Sequence, residues 1–227
     1  MFCYIEESDV STNVNELHDS SITYSNRGVR NGYYTILLKY GNNSFLENNV
    51  TRNYCESNTT FIIGGGQGTS SIKYSIIDEN YADYIICETY DKPTKYNSIV
   101  FINNTVSKPD DLIGMIYCFN FDTTLENCFI ANNKQNGQYL FGIGGSGSFR
   151  VSNTYIDTTE LLYKEGKDVT INKNNSVISI ELHLLSTELC LNGYNFVCMK
   201  KCNKIIFTKF IHLRGLKKVW LLLFLKG

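Results

Sequence analysis

Few side chains in this sequence stand at spacings that covalent chemistry requires. Hydrolysis of a glycosidic bond takes two carboxyl groups a set distance apart, one protonated and one ionised. One adjacent acidic pair within the middle of the chain is Asp110-Asp111, in "SKPDDLIG", and a Pro-Asp-Asp loop reads as a solvated turn. Elimination on an acidic sugar takes Arg or Lys beside acidic calcium ligands, and neither Lys73 nor Arg150 has an acidic cluster to match. His18, His183 and His212 stand in no nucleophile or metal motif. "GIGGSG" (142–147) has the outline of a dinucleotide fingerprint, but that motif needs a helix after it, and "SFRVSNTYID" reads as strand. "GGGQG" (64–68) likewise follows an apolar run and lacks the Lys-Ser/Thr of a phosphate loop. Both stretches read as turn glycines. No catalytic, cofactor-binding or metal-binding residue is assigned from the sequence.

The eight cysteines say more. Cys87 and Cys118 each follow an apolar burst, "YII" and "MIY", so the two are expected to stack one rung apart. Stacked so, they are either within disulfide reach or small buried residues in a ladder. Cys190, Cys198 and Cys202 cluster near the C-terminus with His212, at spacings that fit no strong zinc pattern. N-glycosylation sequons occur at Asn42, Asn49, Asn58, Asn103 and Asn174.

The elements that must hold these residues are strands. A chain of 227 residues suits one domain. Its 16 Tyr and 13 Phe against 2 Pro favour β structure. About one residue in nine is Asn, whose side chain mimics backbone turns and tolerates left-handed geometry. Two phrases, "SFLENN" (44–49) and "CFIANN" (128–133), are nearly the same. Aligned on Leu46 and Ile130, they are joined by "SIIDEN" on Ile77, "VFINNT" on Ile102 and "TYIDTT" on Ile156, at spacings of 31, 25, 28 and 26 residues. Ile72, Leu125 and Val151 precede three of these anchors by five residues, while Asn97 breaks the pattern. Each unit carries a second apolar burst: "FII" (61–63), "YII" (84–86), "MIY" (115–117) and "YLF" (139–141).

Short apolar bursts bounded by Asn, Gly, Asp and Thr read as strands. Units of this length holding two or three strands predict an all-β fold, a right-handed parallel β-helix of about five irregular turns. An antiparallel β-sandwich is the alternative architecture. In the β-helix reading the five anchors line one interior face, and the Asn pair after each turns a corner with its amides hydrogen-bonded from rung to rung. Residues 1–32 form an N-terminal cap or partial first turn, 33–188 the repeat domain, and 189–227 a basic and apolar tail, helical or disordered.

Over roughly residues 33–185, "SFLENN", "SIKYSIIDEN", "SIVFINN", "LENCFIANN" and "FRVSNTYID" resemble the pectin-lyase-like β-helix proteins multiplied in trichomonad protists. The resemblance implies a non-catalytic surface module acting in adhesion, display, or contact with protein and glycan. Its partners would be host or self surfaces, with no cofactor and no nucleic acid. The alternative that the fold carries is a carbohydrate-active enzyme, a polysaccharide lyase or glycoside hydrolase.

The net charge of −1 hides an asymmetry. After Glu188 come seven Lys and Arg214, with no carboxylate to balance them. The stretch "KIIFTKFIHLRGLKKVWLLLFLKG" therefore reads as a contact with an anionic membrane surface, a degraded anchor, or a cap on the end of the coil. The N-terminus shows no apolar run behind a basic start, and no run approaches the roughly 20 apolar residues that span a bilayer. The expected location is the cell surface if the chain belongs to a longer protein, and the cytoplasm if it is complete.

Overall fold

The computed structural model describes residues 3–6, 14–23, 26–27, 35–64, 68–89, 93–107, 114–173, 178–180 and 205–207. Three sheets of parallel strands wind around one interior. Sheet A runs in the order β1 (Cys3–Glu6), β5 (Ile36–Lys39), β8 (Tyr54–Gly64), β11 (Tyr81–Thr89), β15 (Gly114–Phe119) and β18 (Tyr139–Gly144). Beside these, β4 (Asn26–Arg27) pairs with β8 and β14 (Thr105–Val106) with β11. Sheet B runs β2 (Val14–His18), β6 (Asn42–Leu46), β9 (Ser70–Lys73), β12 (Thr94–Asn97), β16 (Asp122–Glu126), the first part of β19 (Ser148–Ile156), then β20 (Asp168–Lys173). Sheet C runs β3 (Ser21–Thr23), β7 (Asn49–Thr51), β10 (Ile76–Asp78), β13 (Val100–Ile102), β17 (Phe129–Ala131) and the end of β19. A separate antiparallel pair joins β21 (Ile178–Ile180) to β22 (Ile205–Phe207). No helix occurs among the described residues. The chain is a β-solenoid, as the repeat predicts, and not a sandwich.

Strand alternation fills the interior. In sheet B, Leu17, Phe45, Ile72, Tyr96, Leu125, Val151 and Ile171 follow one another in register. In sheet C the column is Ile22, Val50, Ile77, Phe101, Ile130 and Ile156. These residues are buried, except that Leu17 and Ile171 are partly so at the two ends of their column. The bursts at 61–63, 84–86, 115–117 and 139–141 all lie in sheet A, where Phe61, Ile86, Ile116 and Phe141 share a column.

The corners explain why short strands can follow one another so closely. Between sheets B and C, one residue per rung takes left-handed backbone: Asp19, Glu47, Tyr74, Ser98, Asn127 and Asn153, with φ from 44° to 57°. Between sheets C and A the same role falls to Arg52, Glu79, Asn103 and Asn132, with φ from 53° to 56°. Left-handed geometry costs an L-residue about 1–2 kcal/mol, and Asn bears it best. Beside the second corner, buried asparagines form the amide ladder that the sequence predicts. Asn53 Nδ2 donates to Asn80 Oδ1 (2.9 Å), Asn80 to Asn104 (3.0 Å) and Asn104 to Asn133 (3.1 Å). Each acceptor oxygen also takes the backbone N–H of the preceding Asn, at 2.9–3.1 Å.

The register corrects the anchors in two places. Leu46 is half-buried on β6, opposite Lys73, and Ile102 is half-buried opposite Asp78 and Ala131. The core positions of those rungs are Val50 and Phe101, which restores spacings of 28, 27, 24, 29 and 26 residues from Ile22 to Ile156. Asn97 breaks the second column for the same reason: its neighbour Tyr96 is the inward residue. "SFLENN" and "CFIANN" therefore occupy different corners. Asn48 follows sheet B, whereas Asn133 follows sheet C. Both phrases end in Asn because both corners need it.

Candidate functional site

The outer face of sheet B carries the polar half of the alternation. In "SSIK", "TKYN", "DTTLE" and "FRVS", the residues beside the core column point outward. Parallel register stacks them into two rows. One runs Ser71, Lys95, Thr124, Arg150; the other runs Lys73, Asn97, Glu126, Ser152. Successive members stand about 4.8 Å apart, the spacing of neighbouring strands. An open groove of about 450 Å³ lies across these rows, lined by Ser71, Lys73, Tyr74, Lys95, Asn97 and Thr124 among others.

Its charges are unequal. Lys95 Nζ meets Glu126 Oε2 at 3.1 Å, and Asn97 Nδ2 donates to the same oxygen at 3.3 Å. Glu126 is thereby held by two neighbours, while Lys73 has no ion-pair partner among the described residues. One turn further, Arg150 Nη2 lies 3.9 Å from Asp122 Oδ2, and Ser148 Oγ donates to Asp122 Oδ1 at 2.6 Å. The groove thus offers hydroxyl, amide and ammonium groups and one aromatic ring, Tyr74, with a surplus of positive charge. That set can hydrogen-bond a polar partner and attract an anionic one.

A second cluster stands at the corner between sheets C and A. Arg52 Nε meets Glu79 Oε2 at 2.6 Å, and Asn103 Nδ2 donates to Asp78 Oδ1 at 2.8 Å. Burial pushes the Asp78 carboxyl up to about 6, against the lowering effect of the Asn103 hydrogen bond. Asp157 follows in the same column as Asp78, three rungs on, roughly 14 Å at the strand spacing. It accepts the Asn132 N–H at 2.6 Å.

The residues singled out in the sequence are dispersed over the coil. Lys73 lies in the groove and Arg150 in its row, but the sequence reading missed Lys95, Asn97 and Tyr74, whose only signal was polar–apolar alternation. His18 is exposed at the end of β2, where a hydrogen bond with Asp19 raises its pKa. Asp110, Asp111, His183, His212, Cys190, Cys198 and Cys202 lie outside the described residues. The turn reading of "GIGGSG" holds at Gly145, whose φ is +59° and where a Cβ would fall 1.6 Å from Asn120 Oδ1, but Gly142 and Gly144 lie on β18.

The expected stacking of Cys87 on Cys118 does not occur. Cys87 pairs with Tyr117, and Cys118 with Glu88, so the two are one residue out of register and in different columns. Cys55, Cys118 and Cys128 are buried, and burial pushes the Cys128 thiol up to about 12. Of the sequons, Asn42 and Asn49 are half-buried on β6 and β7, and Asn103 stands at a corner with its Nδ2 bound to Asp78. Asn58 is on β8, and Asn174 lies outside the described residues.

Compared with family models, curated proteins and solved structures, the chain matches none.

Proposed function

We propose that the chain is a non-catalytic contact module that holds a polar, negatively charged partner along the outer face of sheet B. The observation that carries this reading is the groove itself, where Lys73 and Lys95 stand among Ser, Thr and Asn side chains, and the neighbouring carboxylate of Glu126 is already engaged by Lys95 and Asn97. Rows repeated at strand spacing suit an extended ligand, whose successive groups meet successive rungs. Adhesion or display at a cell surface, through glycan or protein contact, is the role that the pectin-lyase-like resemblance implies and that such a face serves.

A second reading, a carbohydrate-active enzyme, draws on Asp78, a carboxyl that burial raises to about 6 and so into the range of a general acid. Its column partner Asp157 lies roughly 14 Å away by strand spacing, beyond the 9.5 Å or so that inverting hydrolysis spans. The two readings part in one experiment. The chain is incubated with acidic and neutral polysaccharides, and retention and release of new reducing ends are followed together. Retention of acidic polymers that weakens with salt, without release, is the expected result. Release that disappears in Asp78→Asn would establish the enzyme instead.

A further inference from the structure

Two of the groove's own donors are occupied from inside the protein. Glu126 stands on β16 directly opposite Asn97 of β12, and diagonally from Lys95. Lys95 Nζ, at 3.1 Å, and Asn97 Nδ2, at 3.3 Å, converge on the same oxygen, Oε2. Ser98 Oγ donates to Asn97 Oδ1 at 2.9 Å, which turns the donor end of the amide toward the carboxylate. Lys95 and Asn97 line the groove, whereas Glu126 lies just outside its lining, in the row that continues to Ser152. The glutamate therefore makes the contacts that an anionic group lying in the groove would make.

Exposure decides whether such a contact is fixed or exchangeable. The Lys95 and Glu126 side chains are 54% and 39% exposed, against 19% and 26% for Arg52 and Glu79, which pair at the corner between sheets C and A. An ion pair open to water gains little from its Coulomb attraction, and salt weakens it further. An incoming anion can thus take the place of Glu126, and in doing so it gains an ammonium and an amide donor. A neutral partner has nothing to offer Lys95 in exchange. Lys73, on the strand before and without an ion-pair partner among the described residues, stands ready for a second anionic group of the same partner. The other carboxylate of this face, Asp122, is engaged elsewhere, by Ser148 and Arg150. We propose that Glu126 is an internal stand-in for the partner's anion. It holds Lys95 and Asn97 in the free protein and yields them on binding, so that the groove selects polymers with closely spaced negative charges and turns away neutral ones. This rests on the reading of sheet B as the contact face.

The test compares the full chain with Glu126→Gln, with Glu126→Ser and, as a control for net charge, with Asp157→Asn. The control removes one exposed carboxylate at the corner that follows sheet C and keeps an acceptor for the Asn132 N–H. Binding of dextran sulfate and of uncharged dextran, which share a backbone, is measured by calorimetry at low salt. Each Glu126 variant should bind dextran sulfate roughly two- to fivefold more tightly than the parent, the range that exposed ion pairs span. Asp157→Asn should match the parent, and dextran should bind to none of them. Affinity unchanged or weakened in either Glu126 variant, an equal gain in Asp157→Asn, or dextran held as tightly as dextran sulfate would overturn the stand-in while leaving the contact face in place. Dextran sulfate bound by neither parent nor variants would remove the contact reading as well. Binding by the Glu126 variants alone is the expected effect carried further.

Discussion

Asp78 shows what a single residue can reveal here. The residue is 6% exposed, its carboxyl takes hydrogen bonds from the Asn103 side chain and the Glu79 backbone, and the charges of Glu79 and Arg52 act on it with opposite sign. The folded protein binds the Asp78 proton more tightly than the unfolded chain, because its pKa rises from 3.8 to about 6. Stability from this group is therefore greatest below pH 4 and falls as pH climbs through 6, as the buried charge forms. Replacing it by Asn keeps an acceptor for Asn103 and removes the charge. Asp78→Asn should raise stability at pH 7 by up to about 3 kcal/mol, with the gain vanishing near pH 4. Urea titrations of both proteins at the two pH values check this, and an equal difference at both would refute the assignment of the shift to Asp78.

At the scale of the element, the coil is a set of columns, and each column makes a claim that one substitution can test. Phe101 and Ile102 are adjacent, both apolar, and differ only in the face they occupy. Phe101→Ala should lose about 3–5 kcal/mol and Ile102→Ala less than half of that, measured by denaturant unfolding. The reverse order would restore the alignment that places Ile102 inside. In the amide ladder, Asn104→Ala leaves the backbone N–H of Asn80 without its acceptor and takes the Asn104 Nδ2 donor from the carbonyls of Ile77 and Ile102. Asn133 Oδ1 loses that donor too but keeps the backbone N–H of residue 104. A loss of about 2–4 kcal/mol is expected, more than its lost volume alone accounts for. These pairs also explain what could be read beforehand. Short aromatic and β-branched bursts give away the strands, and Asn gives away the corners. Register was hidden because "VFI" and "FIA" are apolar on both faces, so alternation does not mark the inside. Two kinds of corner with the same Asn chemistry let "SFLENN" pose as a copy of "CFIANN". The offset of one residue between Cys87 and Cys118 has the same origin, since equal distance from an apolar burst does not fix the pairing.

At the scale of the whole molecule, the candidate site is the polar outer face of sheet B. That site was nearly illegible in the sequence because no two groove residues form a motif. Lys73 and Lys95 are 22 positions apart, and only parallel stacking brings β9 beside β12. The central claim is that this stacked polar face is where the partner binds. It is tested most directly by charge reversal on the full chain, comparing Lys95→Glu with Lys134→Glu, an exposed lysine away from sheet B. Binding to an acidic polysaccharide is measured by calorimetry at low and physiological salt. Lys95→Glu removes one attraction and adds a repulsion, so affinity should fall roughly tenfold, while Lys134→Glu should leave it within about twofold. Equal losses in the two variants, or none in Lys95→Glu, would contradict the account.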